Sequence, residues 1–418
     1  MKILIHDYAG HPFQVGLSRE LAYRGHCVTH AFFADDPGPK GALAREAGDP
    51  DTLQFIGFGV PGGYEKTNFI ARRFKDVAYG RIVAEHVRAS DYDVVISGNT
   101  PTEAQEKIVA ACGEKDSRFV LWIQDFYSIA ASRILSRKIP VAGQMIGWYY
   151  RWLERRQLAK SDGIVIITEA FRALATRWGG DPAKVSRIEN WGAIGNIEVR
   201  PKANDWARTQ GIENDFVFLY SGTLALKHNP AFLSGIAKLR LPGVKVVVVG
   251  QGVGIDHLQK EKVEGGLDNL VVLPLQPFSE LSNVLASADV LVSVVEAEAG
   301  QFSVPSKVQS YLCAERPILL AAPAANLAAM VVKRESAGVV VEPNDLDGFL
   351  ASTRRLVERR PEDAELGRNG RAFAMREYDI ARVADRFEEV IRAATERGRH
   401  PATTPIGGEI EAGIPGKG

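Results

Sequence analysis

The residues best suited to chemistry lie in two short stretches of the second half of the chain. In SVPSK, Ser303 to Lys307, a proline, a serine and a lysine run straight into an apolar helical pattern. Pro305 suits the first turn of a helix, where its missing N–H costs little, and Ser303 or Ser306 can cap that turn. The unpaired N–H groups and the helix dipole there attract an anion, and Lys307 adds a full positive charge. In SGTLALKHNP, Ser221 to Pro230, Gly222 admits a close backbone approach at the end of a hydrophobic strand, and Lys227 follows one turn later. Two lysines and a helix N-terminus directed at one point make a diphosphate site. Taken singly, each lysine is an ordinary solvated surface charge.

Two further stretches are compatible with a nucleotide. GQGVG holds Gly250 and Gly252 in a G-x-G-x-G spacing, without the third glycine of the dinucleotide fingerprint and far from the first strand. It therefore argues weakly for a dehydrogenase and equally well for a turn that admits a base or ribose. PLQPF, with Leu275 at its second position, offers backbone groups that a base edge could bond.

The elements that position these residues are short β-branched runs alternating with helical patterns. KILIHDY, CVTHAFF, DVVISGN, FVLWIQD and GIVIITE lie in the first half; FVFLYSG, KVVVVGQ, LVVLPL, DVLVSVV and PILLAA lie in the second. Continuous apolar strands separated by helices predict parallel sheets buried on both faces. The series occurs twice, which predicts an α/β chain of two Rossmann-like domains facing across a cleft. The expected boundaries are residues 1–196 and 197–378, a helix over 379–397 that returns to the first domain, and a Gly/Pro/Thr-rich tail over 398–418. Ile380, Val383, Phe387 and Ile391 form the stripe by which that helix would dock. Ligands of open parallel sheets sit outside the carboxyl ends of the strands, where the stretches above are placed.

Composition limits the partners. The 418 residues carry 51 basic and 51 acidic side chains, with 45% hydrophobic and 24% charged residues. No global field draws such a chain to nucleic acid, and any attraction to a membrane must be local. MKILIHDYAG reads as a strand rather than a signal peptide, and no apolar run approaches the ~20 residues of a spanning helix, so a cytoplasmic location is expected. Cys27, Cys112 and Cys313 lie apart in apolar surroundings and are expected to be buried free thiols, with no metal-binding spacing. No cofactor is expected.

The order GHPFQVGLSRELAYRGHCVTH, RWLERRQLAKSDGIVIITEAFRALATRWGGDPAKVSRIENWG, YSGTLALKHNP, VVVVGQGVG, LPLQPFSELSNVLASADVLVSVV and SVPSKVQSYLCAERPIL resembles the large retaining glycosyltransferase family four. Within it, the chain is similar to the branch that builds bacterial surface polysaccharides. The resemblance spans roughly residues 1 to 395 and implies a GT-B fold. It also implies transfer from a nucleotide-diphosphate sugar without a metal, in agreement with the lack of a D-x-D sequence. The family's paired glutamates are absent: Phe302 and Ser310 stand in their places, and Thr223 replaces an arginine often found after the glycine of the first second-domain loop. In this branch the serine and lysine of PSK take over donor contacts, which carries Ser306, Lys307 and Lys227 over as donor-phosphate residues lined by Gly222 and Thr223. Glu296 and Glu298 are candidates for the donor sugar's hydroxyls, and either can equally be a solvated loop acid. His11, Gln124 and Asp125 match positions where the family contacts acceptor or transferred sugar. No strong enzymic base is implied, since the leaving phosphate takes the acceptor's proton.

A last stretch concerns the acceptor. In GQMIGWYYRWLERRQLAK, Met145, Trp148, Tyr149, Trp152 and Leu153 fall at helical spacing. Arg151, Arg155 and Arg156, with Arg133, Arg137 and Lys138 upstream, supply positive charge. Such a helix suits an anionic bilayer, though the same stripe would serve to pack on the sheet. Together these readings describe a retaining hexosyltransferase-like enzyme acting on a saccharide or polyprenyl-linked saccharide. A nucleotide-sugar-binding protein without turnover and a sugar-nucleotide epimerase of the same fold are the alternatives.

Overall fold

The computed structural model describes residues 1–35, 42–61, 69–129, 132, 140–192, 194–225, 228–296, 306–359 and 364–397. The first domain contains β1 (Lys2–Asp7), α1 (Pro12–Tyr23), β2 (Cys27–Phe33), β3 (Leu53–Phe58), α2 (Phe69–Ala89), β4 (Val94–Gly98), α3 (Thr102–Lys115), β5 (Arg118–Ile123), α4 (Pro140–Lys160), β6 (Gly163–Ile166), α5 (Arg172–Arg177) and β7 (Val185–Arg187). These strands form a parallel sheet in the order β3-β2-β1-β4-β5-β6-β7.

The second domain contains α6 (Asp205–Thr209), β8 (Phe216–Thr223), α7 (Ala231–Lys238), β9 (Val244–Gln251), α8 (Val253–Gly265), β10 (Leu270–Leu273), α9 (Leu281–Ala286), β11 (Val290–Val294), α10 (Ser306–Cys313), β12 (Ile318–Ala321), α11 (Leu327–Arg334), β13 (Gly338–Val341), α12 (Leu346–Glu358) and α13 (Ala364–Glu377). Its strands are also parallel, in the order β10-β9-β8-β11-β12-β13. Every residue of β4, β6, β11 and β12 is buried, as expected of strands covered on both faces.

In each sheet the strand order reverses once, between β1 and β4 and between β8 and β11. At such a reversal the following connections leave toward opposite faces, and the crevice between them is where open α/β sheets bind ligands. The loop carrying His11 opens one crevice, and the loops carrying Gly222 and Glu296 open the other.

The last helix, α14 (Ile380–Arg397), packs on α1, β5 and β6 of the first domain. Val383, Phe387 and Ile391 are buried, and Ile380 is half-buried beside Gly16. Arg24 holds the same helix by ion pairs of 2.7 Å to both Asp385 and Glu388 and by donating to the Ala381 carbonyl. Cys112 and Cys313 are buried free thiols, whereas Cys27 is exposed: as the first residue of β2 it sits at the amino edge of the sheet, outside the helix layer.

Phe387 is fully buried against the rings of Trp122 and Trp191. Phe387→Ala leaves a cavity in that contact and is expected to lower stability by about 3–5 kcal/mol, read from urea unfolding followed by tryptophan emission.

Candidate functional site

In the second domain the geometry around β8 is set by close approach. Gly222 has φ +122°, and a β-carbon there would lie 3.5 Å from the Lys307 Cε. The Lys307 ammonium stands 5.0 Å from the centre of the Tyr220 ring. Lys307 and Tyr311 are four residues apart on α10 and so share a face. Tyr311 is buried, and its hydroxyl accepts from the Ser221 N–H at 2.9 Å, pinning α10 to the end of β8. Thr223 ends β8 exposed, its carbonyl accepting from the Tyr220 hydroxyl at 2.8 Å. The structure thus brings Lys307, Gly222 and the start of a helix to one point at the carboxyl edge of the sheet. Ser306 is the first residue of that helix, and Glu296 is half-buried two residues beyond β11, across the strand reversal. Lys227, Ser303, Pro305 and Glu298 lie outside the described residues.

The glycines of GQGVG have a packing role. A β-carbon at Gly250 would meet the Gly222 carbonyl at 2.3 Å, and one at Gly252, whose φ is +110°, would meet the Leu224 carbonyl at 2.9 Å. They let β8, β9 and the start of α8 close on one another beside Lys307. Leu275 is half-buried in the loop after β10, two strands from β8. Its neighbour Gln276 is held by the Trp206 indole N–H at 3.2 Å.

In the first domain, His11 occupies the position just before α1, in the loop after β1, without a capping bond from its side chain. Its Nδ1 lies 3.2 Å from Asp7 Oδ1, its backbone N–H donates to Asp7 Oδ2, and Asn99 of the loop after β4 reaches its ring at 3.1 Å. Burial pushes the Asp7 carboxyl up, but the charge and hydrogen bonds of His11 outweigh it, and the net position is below the usual carboxylate range. His6, also on β1, is buried between Ser97 and Tyr79, each at 2.8 Å, and burial lowers its imidazole to about 4. His11 sits at the crevice, and His6 is a neutral core residue.

Asp125, exposed just after β5, belongs to a different feature: a cavity of about 320 Å³ at the carboxyl ends of β4 and β5. Asp76, Glu103 and Glu154 line it and are buried. Among the described residues lining it, Arg73 is the only cation, and it pairs with Glu103 at 3.0 Å. Tyr8 donates to Asp76 at 3.0 Å, and Glu154 accepts from the Ser128 hydroxyl at 2.6 Å and its N–H at 3.0 Å. Carboxylates and tyrosines around a small cavity are suited to sugar hydroxyls. These acids come from α2, α3 and α4 and carry no mutual spacing in the chain; Asp7, four residues before His11 at a strand end, was the one partner that spacing could have indicated. Among the described residues no three His, Cys, Asp or Glu side chains converge to hold a metal ion.

The helix of the basic aromatic stretch is two-sided. Tyr150 and Leu153 of α4 are buried, while Val141, Met145, Trp148 and Trp152 are 75%, 68%, 66% and 42% exposed. These four lie at positions i, i+4, i+7 and i+11, one face of the helix. Arg156 pairs with Glu106 at 3.0 Å and covers the Trp152 ring, and Arg151 covers Trp178. Arg133, Arg137 and Lys138 lie outside the described residues. No helix among the described residues is long and apolar enough to cross a membrane.

Two family models match the chain: a glycosyl transferase 4-like domain over residues 12–191 and a glycosyl transferases group 1 domain over residues 203–373. A protein of Escherichia coli K12 named as a colanic acid biosynthesis glycosyl transferase, WcaI, is 25% identical over 244 residues, 57% of this chain and 60% of its own length. A Pseudomonas aeruginosa protein named as the glycosyltransferase WbjE is 24% identical over 266 residues, 62% of this chain and 64% of its own. The chain therefore matches less than two thirds of the length of these relatives. The Anabaena HepE structure with UDP and glucose superimposes with a TM-score of 0.71 at 15% identity, covering 94% of this chain and all of that one. WaaG, a glycosyltransferase of lipopolysaccharide biosynthesis, gives 0.65 at 15% identity, covering 94% and 99%. These likenesses show the two-domain GT-B fold.

The Glu154 carboxyl carries a pH signature. Burial pushes it up to about 7 against the lowering effect of its Ser128 bonds. A carboxyl raised above its unfolded value contributes stability that is complete below pH ~4.5 and lost as pH rises through about 7. Glu154→Gln should therefore become more stable relative to wild type between pH 5 and pH 8, measured as the difference in urea midpoints of the two proteins.

Proposed function

We propose that this chain, a member of the GT-B glycosyltransferases, moves a sugar with retention from a nucleotide-diphosphate sugar to a saccharide acceptor in surface polysaccharide synthesis. The observation that carries the reading is the meeting of Lys307, the start of α10 and Gly222 at the strand reversal of the second sheet. That arrangement suits a diphosphate whose charge grows as the sugar C1–O bond breaks. The leaving oxygen takes the bonding pair, Lys307 and the helix N–H groups stabilise it, and no metal is needed for that charge. The acceptor oxygen bonds C1 on the face the diphosphate leaves, and its proton passes to a leaving phosphate oxygen. Gly250, Gly252 and Leu275 border the nucleoside, Thr223 and Ser306 the phosphates, and Glu296 the donor sugar; Lys227 joins Lys307 on the diphosphate.

The acceptor lies against the first domain, with His11 at the crevice and Asp125 at the mouth of the acidic cavity. Two of the relatives are named for glycosyl transfer, one of them in colanic acid biosynthesis, and HepE was solved with UDP and with UDP-glucose. The colanic acid name agrees with a saccharide acceptor, and the HepE complexes agree with a nucleotide-sugar donor. The exposed stripe on α4 favours a lipid-linked form of that acceptor, with the protein resting peripherally on the cytoplasmic face of an anionic membrane.

Lys307→Ala is expected to lower turnover by roughly one to three orders of magnitude with a smaller change in donor affinity, measured as nucleoside diphosphate released from a panel of UDP-, GDP- and dTDP-sugars. Wild-type turnover in that variant would make Lys307 a solvated surface charge. Binding of a nucleotide sugar by the wild type, with no diphosphate released whether or not an acceptor is supplied, would identify a binder without turnover.

Trp148→Ser with Met145→Ser should sharply reduce co-sedimentation with phosphatidylglycerol vesicles while leaving diphosphate release from a soluble donor unchanged. Failure of the wild-type protein to sediment with such vesicles would remove the membrane from the reading.

A further inference from the structure

The three residues Asn190, Trp191 and Gly192, between β7 and the second domain, touch both halves of the molecule. The Trp191 ring stacks on Trp122 of β5 with centroids 5.7 Å apart and meets Phe13 of α1 edge-on at 5.2 Å. Gly192 lies so close to α10 that a β-carbon there would stand 2.6 Å from both the Gln309 carbonyl and Cys313 Sγ. Between these two anchors, Asn190 exchanges side-chain amide bonds with Gln124 at the end of β5, at 3.2 and 2.5 Å. The Asn190 carbonyl accepts from Gln309 Nε2 at 3.1 Å.

Helix α10 is therefore held on two faces. Lys307 and Tyr311 face β8 and Gly222, as described above. Gln309 and Cys313, again four residues apart, face the connecting segment. Gln309 is buried and lies two residues from Lys307, while Gln124 adjoins Asp125. A chain of three hydrogen bonds thus runs from the helix that carries the cation to the strand end that borders the acidic cavity.

We propose that Asn190, Gln124 and Gln309 form a positioning relay that fixes the donor-side helix α10 in register with the acceptor-side end of β5. The inference rests on the glycosyl-transfer reading. None of the three touches the diphosphate-binding groups directly; they act through Lys307 on one side and Asp125 on the other. The Gln309–Asn190 bond is in series with the paired Asn190–Gln124 bonds, so losing the first, or both of the pair, breaks the relay. Three consequences follow from a series arrangement. Nucleotide affinity survives, because the groups on β8 and α10 remain. Transfer to an acceptor falls, because reacting atoms that are no longer in register forfeit the advantage of proximity. Two breaks do no more harm than one.

The test uses UDP as probe on the full chain, with Gln309→Leu, Gln124→Ala, the similarly sized Asn190→Leu and the double variant Gln124→Ala/Gln309→Leu. Calorimetry should give UDP dissociation constants within about twofold of wild type in every case. Hydrogen exchange should show UDP slowing the amides at the end of β5 in wild type, and that slowing should be lost in the variants at equal UDP occupancy. Acceptor-dependent transfer should fall about tenfold to a hundredfold in each single variant, with donor hydrolysis changed far less, and no further in the double. Retained slowing at β5 in both Gln309→Leu and Asn190→Leu, or losses that multiply in the double variant, would overturn the relay while leaving the functional reading intact. Absence of UDP, GDP or dTDP binding to the wild-type protein would overturn the functional reading itself, and the relay with it. Should Gln309→Leu unfold, Asn190→Leu carries the same decision, because it removes both amide bonds to Gln124 with little change in side-chain size and keeps the main-chain carbonyl that Gln309 meets.

Discussion

The packing of Trp191 against Trp122, Phe13 and Phe387 is the contact on which the rest of this molecule depends. Four aromatic rings from four separate segments meet there: a sheet strand, the first helix, the segment leading to the second domain, and the last helix. Aromatic pairs in edge-on and offset geometry contribute beyond their buried area, each by about 0.5–1.5 kcal/mol, and they constrain orientation as well as distance. The position of Trp191 places Asn190 and Gly192 on either side of it. That in turn sets where α10 lies against the first domain.

The two halves of the cleft differ in charge for local reasons, although the chain as a whole is neutral. On the second domain, a helix start and Lys307 converge beside a glycine that leaves room for them. On the first, three buried acids surround a cavity whose one described cation is already paired. Opposite local fields of this kind favour anionic groups on one side and hydroxyl-bearing groups on the other, and low-dielectric walls strengthen both effects.

The repeated alternation of β-branched runs and helical patterns was enough to foretell two parallel sheets, because strands buried on both faces must be apolar throughout. Gly222 and Lys307 were also legible, one as a strand-end glycine and the other as a charge at a helix start. The acidic cavity was not: Asp76, Glu103 and Glu154 come from three helices, and only the crossing of those helices over β4 and β5 brings them together. Gly250 and Gly252 read in the sequence as a turn that admits a base or ribose, and the structure adds the backbone of Gly222 and Leu224 pressed against them. The α4 stripe split into inward and outward residues because Tyr150 and Leu153 occupy the face toward the sheet, which leaves Trp148 and Trp152 on the opposite side. Cys27 was misjudged because apolar neighbours in sequence do not cover the first residue of a strand.

The return of α14 to the first domain means that the polypeptide passes between the domains twice, once after Gly192 and once before Ile380. A body tethered at one point can swivel in any direction, but one tethered at two points is limited to turning about the line that joins them. Two crossings therefore restrict any opening of this chain toward rotation about one line, like that of a door on two pins. Gly222 and Lys307, in contact within one domain, would be carried together by such a rotation.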